Sequence, residues 1–295
     1  MNRLVIIGNG FDLAHGLRTS YKDFIFWFLE GYFDEIYRNG NIGVTDRTGL
    51  LKITMHCSYN TITGDRIIYG IDDYREYLKE NDREPWKFLE KLHNTVEGVS
   101  VEKSILLKKI LGDLEEKNWT DIESDYYELL KKNADDISSC QELNVQLDCL
   151  RFWLAEYLKT QTTTIKIQGF LDAVNEDIDE EDVAISERQK MNRIIEKVDE
   201  TLFLNFNYTD TIHNYKPVPQ AIHRFHFNPI HGSLDKPNEM IFGYGDEMDK
   251  DFQALIDRNE NALLENSKSI KYLETSHYRD LLSFIEGGPF QVYIM

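Results

Sequence analysis

Cysteine is scarce. The three residues, Cys57, Cys140 and Cys149, stand far apart and form no CxxC pair. Such spacing builds neither a disulfide framework nor a zinc ribbon, so no metal is expected, and a reducing cytoplasm is the expected compartment. Basic residues are also short: 33 Lys and Arg face 52 Asp and Glu, a formal net charge of −19. That deficit argues against broad nucleic-acid binding, which needs a surplus of cations for phosphates, although a local basic patch stays open. No stretch approaches the ~20 apolar residues of a membrane span, so no membrane partner is expected. The opening MNRLVIIG is no signal peptide, because its apolar run is too short and no cleavage pattern follows before Asp12. What remains is globular: 41% hydrophobic and 12% aromatic residues over a chain of 295. That length fits one large domain or two and is ample for a core.

The organising stretch is Leu4 to Gly16, LVIIGNGFDLAHG. Four apolar residues run into Gly8-Asn9-Gly10, as in a buried parallel strand ending at a turn. Glycines let the chain turn sharply and let backbone N–H groups approach a ligand. Phe11 to His15 can begin a helix, whose N-terminal amides and dipole favour a phosphate. The spacing is not GxGxxG, since the next glycine is Gly16. A tight turn that merely closes a strand explains the same residues, and both readings stand at this point.

A second helix is predicted from Tyr21 towards Tyr37, capped by Thr19 or Ser20 with Asp23 as partner, and its many aromatics point to core packing. Leu50–His56 and Arg66–Ile71 read as a hairpin. From Asp73 to about Lys159 the pattern is helical. Thr120 and Glu123 form a capping box, which explains both without function. Glu176–Asp182 is an acidic loop, and Lys190–Val198 reads as helix. Apolar strands are then expected at Thr201–Asn205, Arg224–Ile230 and Met240–Phe242, each ending in a polar or glycine tip. A last strand-like run, Gln291–Ile294, ends the chain, which suggests a fragment of a longer protein.

Apolar strands ending in such tips, separated by helices, give the doubly wound α/β pattern. Ligands of these sheets sit at the carboxyl ends of the strands, so the tips at Gly8, Asn207, His231 and Gly243 should converge. The expected fold is a Rossmann-like parallel sheet with a large, mainly helical insertion. Residues 1–38 and 200–295 are assigned to the nucleotide-binding core. Residues 39–199 are assigned to the insertion, with its small β-hairpin, roofing the pocket.

The segments GNGFDLAHGLRTSYKDF, WTDIE, LNFNYTDTIHNY and IHGSLDKPNEMIFGYGDE resemble the AbiH family of bacterial abortive-infection, anti-phage proteins, over nearly the whole chain. The tips also resemble the nucleotide-binding core of sirtuins. Gly8, Gly10 and Gly16 match its glycine loop, Asn207 its asparagine, and His231-Gly232 its catalytic His-Gly. Phe242-Gly243 leading to Asp246-Glu247 is similar to its Phe-Gly-Glu turn, lengthened by two residues. Thr209 stands where sirtuins keep an aspartate, and the zinc cysteines are missing, which argues against a protein deacetylase. The last strand lacks the Gly-His-Ser-like turn that usually follows, so one wall of the pocket is expected beyond residue 295.

The resemblance implies an anti-phage effector that takes NAD or a related nucleotide as substrate and hydrolyses it, without metal. The alternative is a nucleotide sensor without turnover, acting through a partner protein. A phage trigger, a partner defence protein and a second copy of the chain stay open as partners. His231 is the candidate general base and Asn207 the second candidate catalytic residue, holding a ribose hydroxyl or water. Gly8, Asn9, Gly10, Phe11, Asp12, Gly16, Asn207, Tyr208, Thr209, Gly232, Ser233 and Gly243 are the candidate nucleotide contacts. Asp12, which would repel a pyrophosphate, suits a ribose hydroxyl or simply caps its helix. His213 and Glu123 rank second, and His15 is expected to pack.

Overall fold

Four of the apolar runs lie side by side in the computed structural model of the chain. The structure describes residues 2–38, 43–47, 49–55, 58–59, 66–67, 76–77, 79, 86–90, 99–112, 119–179, 181, 185–188, 195–196, 198–215, 224–245 and 250–294. Strands Asn2–Ile7, Glu200–Asn205, Arg224–Pro229 and Phe290–Ile294 form one sheet, and every pairing in it is parallel. Taken in chain order, they sit in the sheet as third, second, first, fourth. The progression reverses at the first strand, and at such a switch point a crevice opens beyond the carboxyl ends of an open parallel sheet. The expected parallel sheet is therefore present.

The inner strands are apolar on both faces because both faces are covered. On one side Val5, Ile7 and Phe203 pack with Phe11, Phe170, Val174, Ile212 and Tyr215. On the other, Leu4, Leu202 and Leu204 pack with Ile230. Arg3 is fully buried within this apolar frame. Its guanidinium donates to the carbonyls of Val174 and Glu176 and to Oε1 of Gln291, and it lies 4.8 Å from the Tyr293 ring centroid. A buried cation must be satisfied in this way or cost several kcal/mol, on the order of what one buried ion loses on leaving water.

The chain divides into two compact units. One comprises Met1–Thr19, Leu158–Phe242 and Ser267–Met295, and the other Ser20–Tyr157 and Gly243–Asn266. Three boundaries differ from the sequence reading. Leu158 to Asp199 joins the sheet because Phe170 and Val174 belong to its core and Arg3 bonds to Val174 and Glu176. Helix Tyr21–Arg38 joins the second unit, where Tyr32 Oη donates to the Leu51 carbonyl at 2.9 Å and accepts from the Ile53 amide at 3.2 Å. Gly243–Asn266 joins it as well. There Asn144 Nδ2 donates to the Ala262 carbonyl and to Glu265 Oε2, both at 2.8 Å.

In the second unit, helices Ile105–Gly112, Trp119–Lys132 and Ile137–Lys159 accompany a three-stranded antiparallel sheet. Ser20 caps the Tyr21–Arg38 helix as expected: Asp23 N donates to its Oγ at 3.2 Å, and its hydroxyl donates to the Asp23 carboxylate. The expected hairpin pairs otherwise. Leu51–Met55 lies between Gly43–Arg47 and Val99–Lys103, whereas Arg66–Ile67 pairs with Ser58–Tyr59. The connecting residues 60–65 lie outside the described residues.

Two further expectations change. Ile195–Glu196 is a strand paired with Ile178–Asp179, not helix. Met240–Phe242 forms no strand. Gly232 turns the chain at φ +85°, and the Ile241 amide returns to donate to the His231 carbonyl at 2.8 Å, so the segment folds against its own turn.

Candidate functional site

The glycine turn follows the first strand directly. Gly8 is extended and caps the short helix Asn9–Ala14, with Phe11 N donating to the Gly8 carbonyl at 3.0 Å. A Cβ added to Gly8 or to Gly10 would meet no atom within 4 Å, so open space lies over the turn. Asn9 Oδ1 accepts the Thr19 hydroxyl at 2.7 Å. The Phe11 ring packs in the sheet's core, 5.3 Å from Phe170, and only its backbone stays with the turn. Gly16 adopts φ +77° and its amide donates to the Leu13 carbonyl, which ends the helix. His15 packs as expected, its Nδ1 2.6 Å from the Phe11 carbonyl and its Nε2 2.5 Å from the Tyr215 hydroxyl.

The tip after Glu200–Asn205 crosses to this turn. Asn205 Oδ1 accepts the Asn207 amide at 3.0 Å, and its Nδ2 donates to the Thr209 carbonyl at 3.1 Å, so one asparagine shapes the whole loop. Asn207 Nδ2 then donates to the Gly8 carbonyl at 2.9 Å. Residues 8 and 207, far apart in sequence, are thus tied across two neighbouring strands. The Thr209 hydroxyl donates to Asp12 Oδ2 at 2.6 Å, and the Thr211 hydroxyl donates to Thr209 Oγ1 at 3.2 Å.

Asp12 is almost wholly buried, and its Oδ1 has no hydrogen-bond partner. Burial pushes its carboxyl above the ordinary 3.8; the Thr209 and Thr211 hydroxyls pull it part of the way back. A carboxyl raised in the folded state stabilises the protein at low pH, and that stability is lost as pH rises through the folded value. Asp12→Asn keeps an acceptor for Thr209 and removes the charge. It is expected to raise stability at pH 7 by about 1 kcal/mol, a difference that vanishes below pH 3.8. Thermal unfolding of both proteins at the two pH values checks this, and a less stable variant at pH 7 would mean that the charge is compensated.

His231 stands at the tip after Arg224–Pro229. Its Nδ1 lies 3.1 Å from the Phe206 carbonyl and therefore carries the proton, and its Nε2 accepts the Tyr272 hydroxyl at 2.8 Å. The ring stacks over Tyr272 at 6.0 Å and meets Phe206 edge-on at 5.1 Å. Phe206 and Asn207 thus face His231 on one side and Gly8 on the other. Burial, aided by the positive charge of Lys268, lowers the His231 imidazole from 6.5 to about 3. His231 is neutral throughout the physiological range.

A histidine depressed in this way stabilises the fold fully above pH 6.5, and that contribution is lost as pH falls from 6.5 towards 3. The loss has a slope of up to ~1.4 kcal/mol per pH unit. His231→Gln is expected to flatten the acid limb of the stability profile in that window. An unchanged profile in denaturant melts from pH 7 to 4 would contradict the burial argument.

Gly232 is required by the turn. At φ +85° it sits where a Cβ would lie 2.7 Å from the Glu239 carbonyl oxygen. Tyr208 donates its hydroxyl to the Ile241 carbonyl at 2.8 Å, and Ser233 accepts the Lys236 amide through its carbonyl at 3.2 Å. Tyr208, Thr209 and Ser233 line a cleft of about 360 Å³, which also takes in His213. His213 Nδ1 lies 3.6 Å from Asp210 Oδ1.

Gly243 belongs to the second unit. A Cβ on it would come within 2.0 Å of the Asn266 carbonyl oxygen, and its amide donates to Glu123 Oε1 at 3.3 Å. Glu123 thus supports a glycine turn, and with Thr120 it lies inside the helix Trp119–Lys132. Asp246 and Glu247 lie outside the described residues. Among the described residues no three His, Cys, Asp or Glu side chains converge as a metal site, and no helix is long and apolar enough to cross a membrane. The sequence reading missed Asn205 and Tyr272. The N-x-N spacing of Asn205 and Asn207 carries the first, as an asparagine turn. Nothing local marks the second, whose partner is 41 residues away.

The family model described as Bacteriophage abortive infection AbiH matches residues 4–59 and 68–290. No curated protein and no solved structure matches the chain. The matched span holds the glycine turn, the Asn205–Thr211 tip, the His231 turn and the Gly243 turn. The chain belongs to the bacteriophage abortive infection family AbiH.

Proposed function

We propose that this abortive-infection protein binds NAD or a related nucleotide at its glycine turn and hydrolyses it to ADP-ribose and nicotinamide. The observation that carries the reading is the 2.9 Å bond from Asn207 to the Gly8 carbonyl, which sets a polar strand tip beside a turn open above both glycines. The strand order third, second, first, fourth supports it, because doubly wound nucleotide-binding sheets share that order and bind at the same switch point. Backbone amides of the turn suit a pyrophosphate. The Asp12 carboxylate, held behind Thr209, suits a ribose hydroxyl rather than a phosphate.

In the proposed reaction a water oxygen bonds to the ribose carbon while the bond to nicotinamide breaks. The bonding pair leaves with the ring nitrogen, and one proton is released. The transition state carries oxocarbenium character, as at other glycosyl bonds. Asn207 orients the ribose or the water. His231 Nε2 accepts the proton, either after Tyr272 swings away or through the Tyr272 hydroxyl as relay.

A second reading has its own support. His231 has both ring nitrogens bonded and an imidazole lowered to about 3, which makes it a weak base. That favours a nucleotide sensor acting through a partner protein. Nicotinamide release separates the two. Purified protein incubated with NAD, alone and with extract of phage-infected cells, is expected to yield ADP-ribose and nicotinamide by chromatography. Saturable NAD binding without release in either condition would leave the sensor.

A further inference from the structure

The Asn205–Thr211 tip is built inside out. Its polar side chains Asn205, Asn207, Thr209 and Thr211 are all buried. Its one wholly apolar side chain, Phe206, stays 37% exposed. Folding alone favours the reverse, because a polar group costs free energy to bury and an aromatic ring gains by leaving water. The buried polar groups bond to the tip itself, to Gly8 and to Asp12. They fix the shape of the tip, and Phe206 is what that shape presents to solvent. Natural proteins break local rules of this kind at functional sites.

The backbone of Phe206 is held on both sides. Its amide donates to the Ile7 carbonyl at 2.9 Å, which carries the pairing with the first strand one residue further. Its carbonyl accepts the proton of His231 Nδ1 at 3.1 Å. The ring stands perpendicular to the His231 ring, with centroids 5.1 Å apart. The next residue, Asn207, reaches the Gly8 carbonyl. Phe206 therefore stands at the carboxyl edge of the sheet, between the open glycine turn and His231. An aromatic side chain fixed in this way loses little freedom when a flat ring settles on it.

We propose that Phe206 is the platform on which a flat heteroaromatic ring of the nucleotide, nicotinamide or adenine, stacks, and that this contact makes the site select nucleotides over sugar phosphates. The inference rests on the nucleotide reading of the glycine turn. With a phosphate on the amides of that turn and the ribose beside Asn207, the ring carried by the ribose falls next to Phe206. Every base has a π-face, so stacking tolerates either ring, and a pyridinium ring adds the attraction of its charge to the face of Phe206. Phe206 is a binding residue and takes no part in breaking the glycosyl bond.

Calorimetry on the full chain tests this with three ligands that share one sugar phosphate: ribose 5-phosphate itself, AMP and nicotinamide mononucleotide. At least one of the two nucleotides is expected to bind about 10-fold more tightly than ribose 5-phosphate, the size of one base–aromatic stack. The tighter nucleotide identifies the ring that Phe206 holds. Phe206→Leu keeps an apolar side chain and removes the ring. It should cancel the preference and leave the affinity for ribose 5-phosphate unchanged. Phe206→Tyr keeps the ring and should keep the preference. Equal binding of all three ligands by the parent protein, which needs no variant, would overturn the proposal. So would a preference that survives in a folded Phe206→Leu protein. Either result would leave the phosphate at the glycine turn. No binding of any of the three would overturn the nucleotide reading itself, and this inference with it.

Discussion

Replacing His231 by alanine is expected to remove about 10²–10⁴-fold of the NAD turnover, the typical contribution of a general base, while nucleotide affinity stays near that of the parent. The imidazole is held neutral by burial, so Nε2 is unprotonated at any physiological pH. Its lone pair points at the Tyr272 hydroxyl, which makes Tyr272 the informative second position. If Tyr272 relays the proton, Tyr272→Phe falls with His231→Ala. If Tyr272 only occupies Nε2, Tyr272→Phe frees the base and turnover holds or rises. Asn207→Ala loses turnover as well, and loses affinity because its amide also fixes the Gly8 carbonyl. In cells these changes should abolish phage protection without lowering protein level. Turnover by His231→Ala at the parental rate would move the base elsewhere, and His213 in the adjoining cleft is then the next residue to change.

The parallel sheet was readable because a strand buried on both faces has to be written as a continuous apolar run. Leu4–Ile7 and Leu202–Leu204 are such runs. The edge strand Phe290–Ile294 was readable too, although Val292 and Ile294 are exposed. Met240–Phe242 is apolar for another reason: all three residues are buried where the segment folds against the His231 turn, and full burial of a short run writes the same local pattern as a buried strand. Membership of the two units was less legible, because it rests on polar contacts over long separations. Arg3 reaches Val174 and Glu176, and Asn144 reaches Ala262. None of these pairs leaves a periodic trace. At the site, glycines and polar tips marked positions but not roles. Phe11 faces the core, and Gly16 ends a helix. His231, read as a free base, is engaged at both nitrogens.

Gly10→Val and Gly232→Ala are expected to fail in opposite ways. At Gly10 a Cβ meets open space and the backbone is not left-handed, so the valine protein should fold with little change in melting temperature. The side chain then stands over the turn, where a phosphate must approach backbone amides, and NAD affinity should fall by at least 10-fold. At Gly232 two costs add. Alanine at φ +85° costs about 1–2 kcal/mol. Its Cβ 2.7 Å from the Glu239 carbonyl, which is backbone and cannot rotate away, adds about 1–3 kcal/mol. Together they should lower the melting temperature by roughly 5–10 °C and shift the His231 ring with the turn. Melting curves and NAD titrations of both proteins decide the matter. Unchanged NAD affinity in a folded Gly10→Val protein would place the nucleotide away from the glycine turn. It would leave that turn a strand closure, the plainer of the two readings that its residues allow.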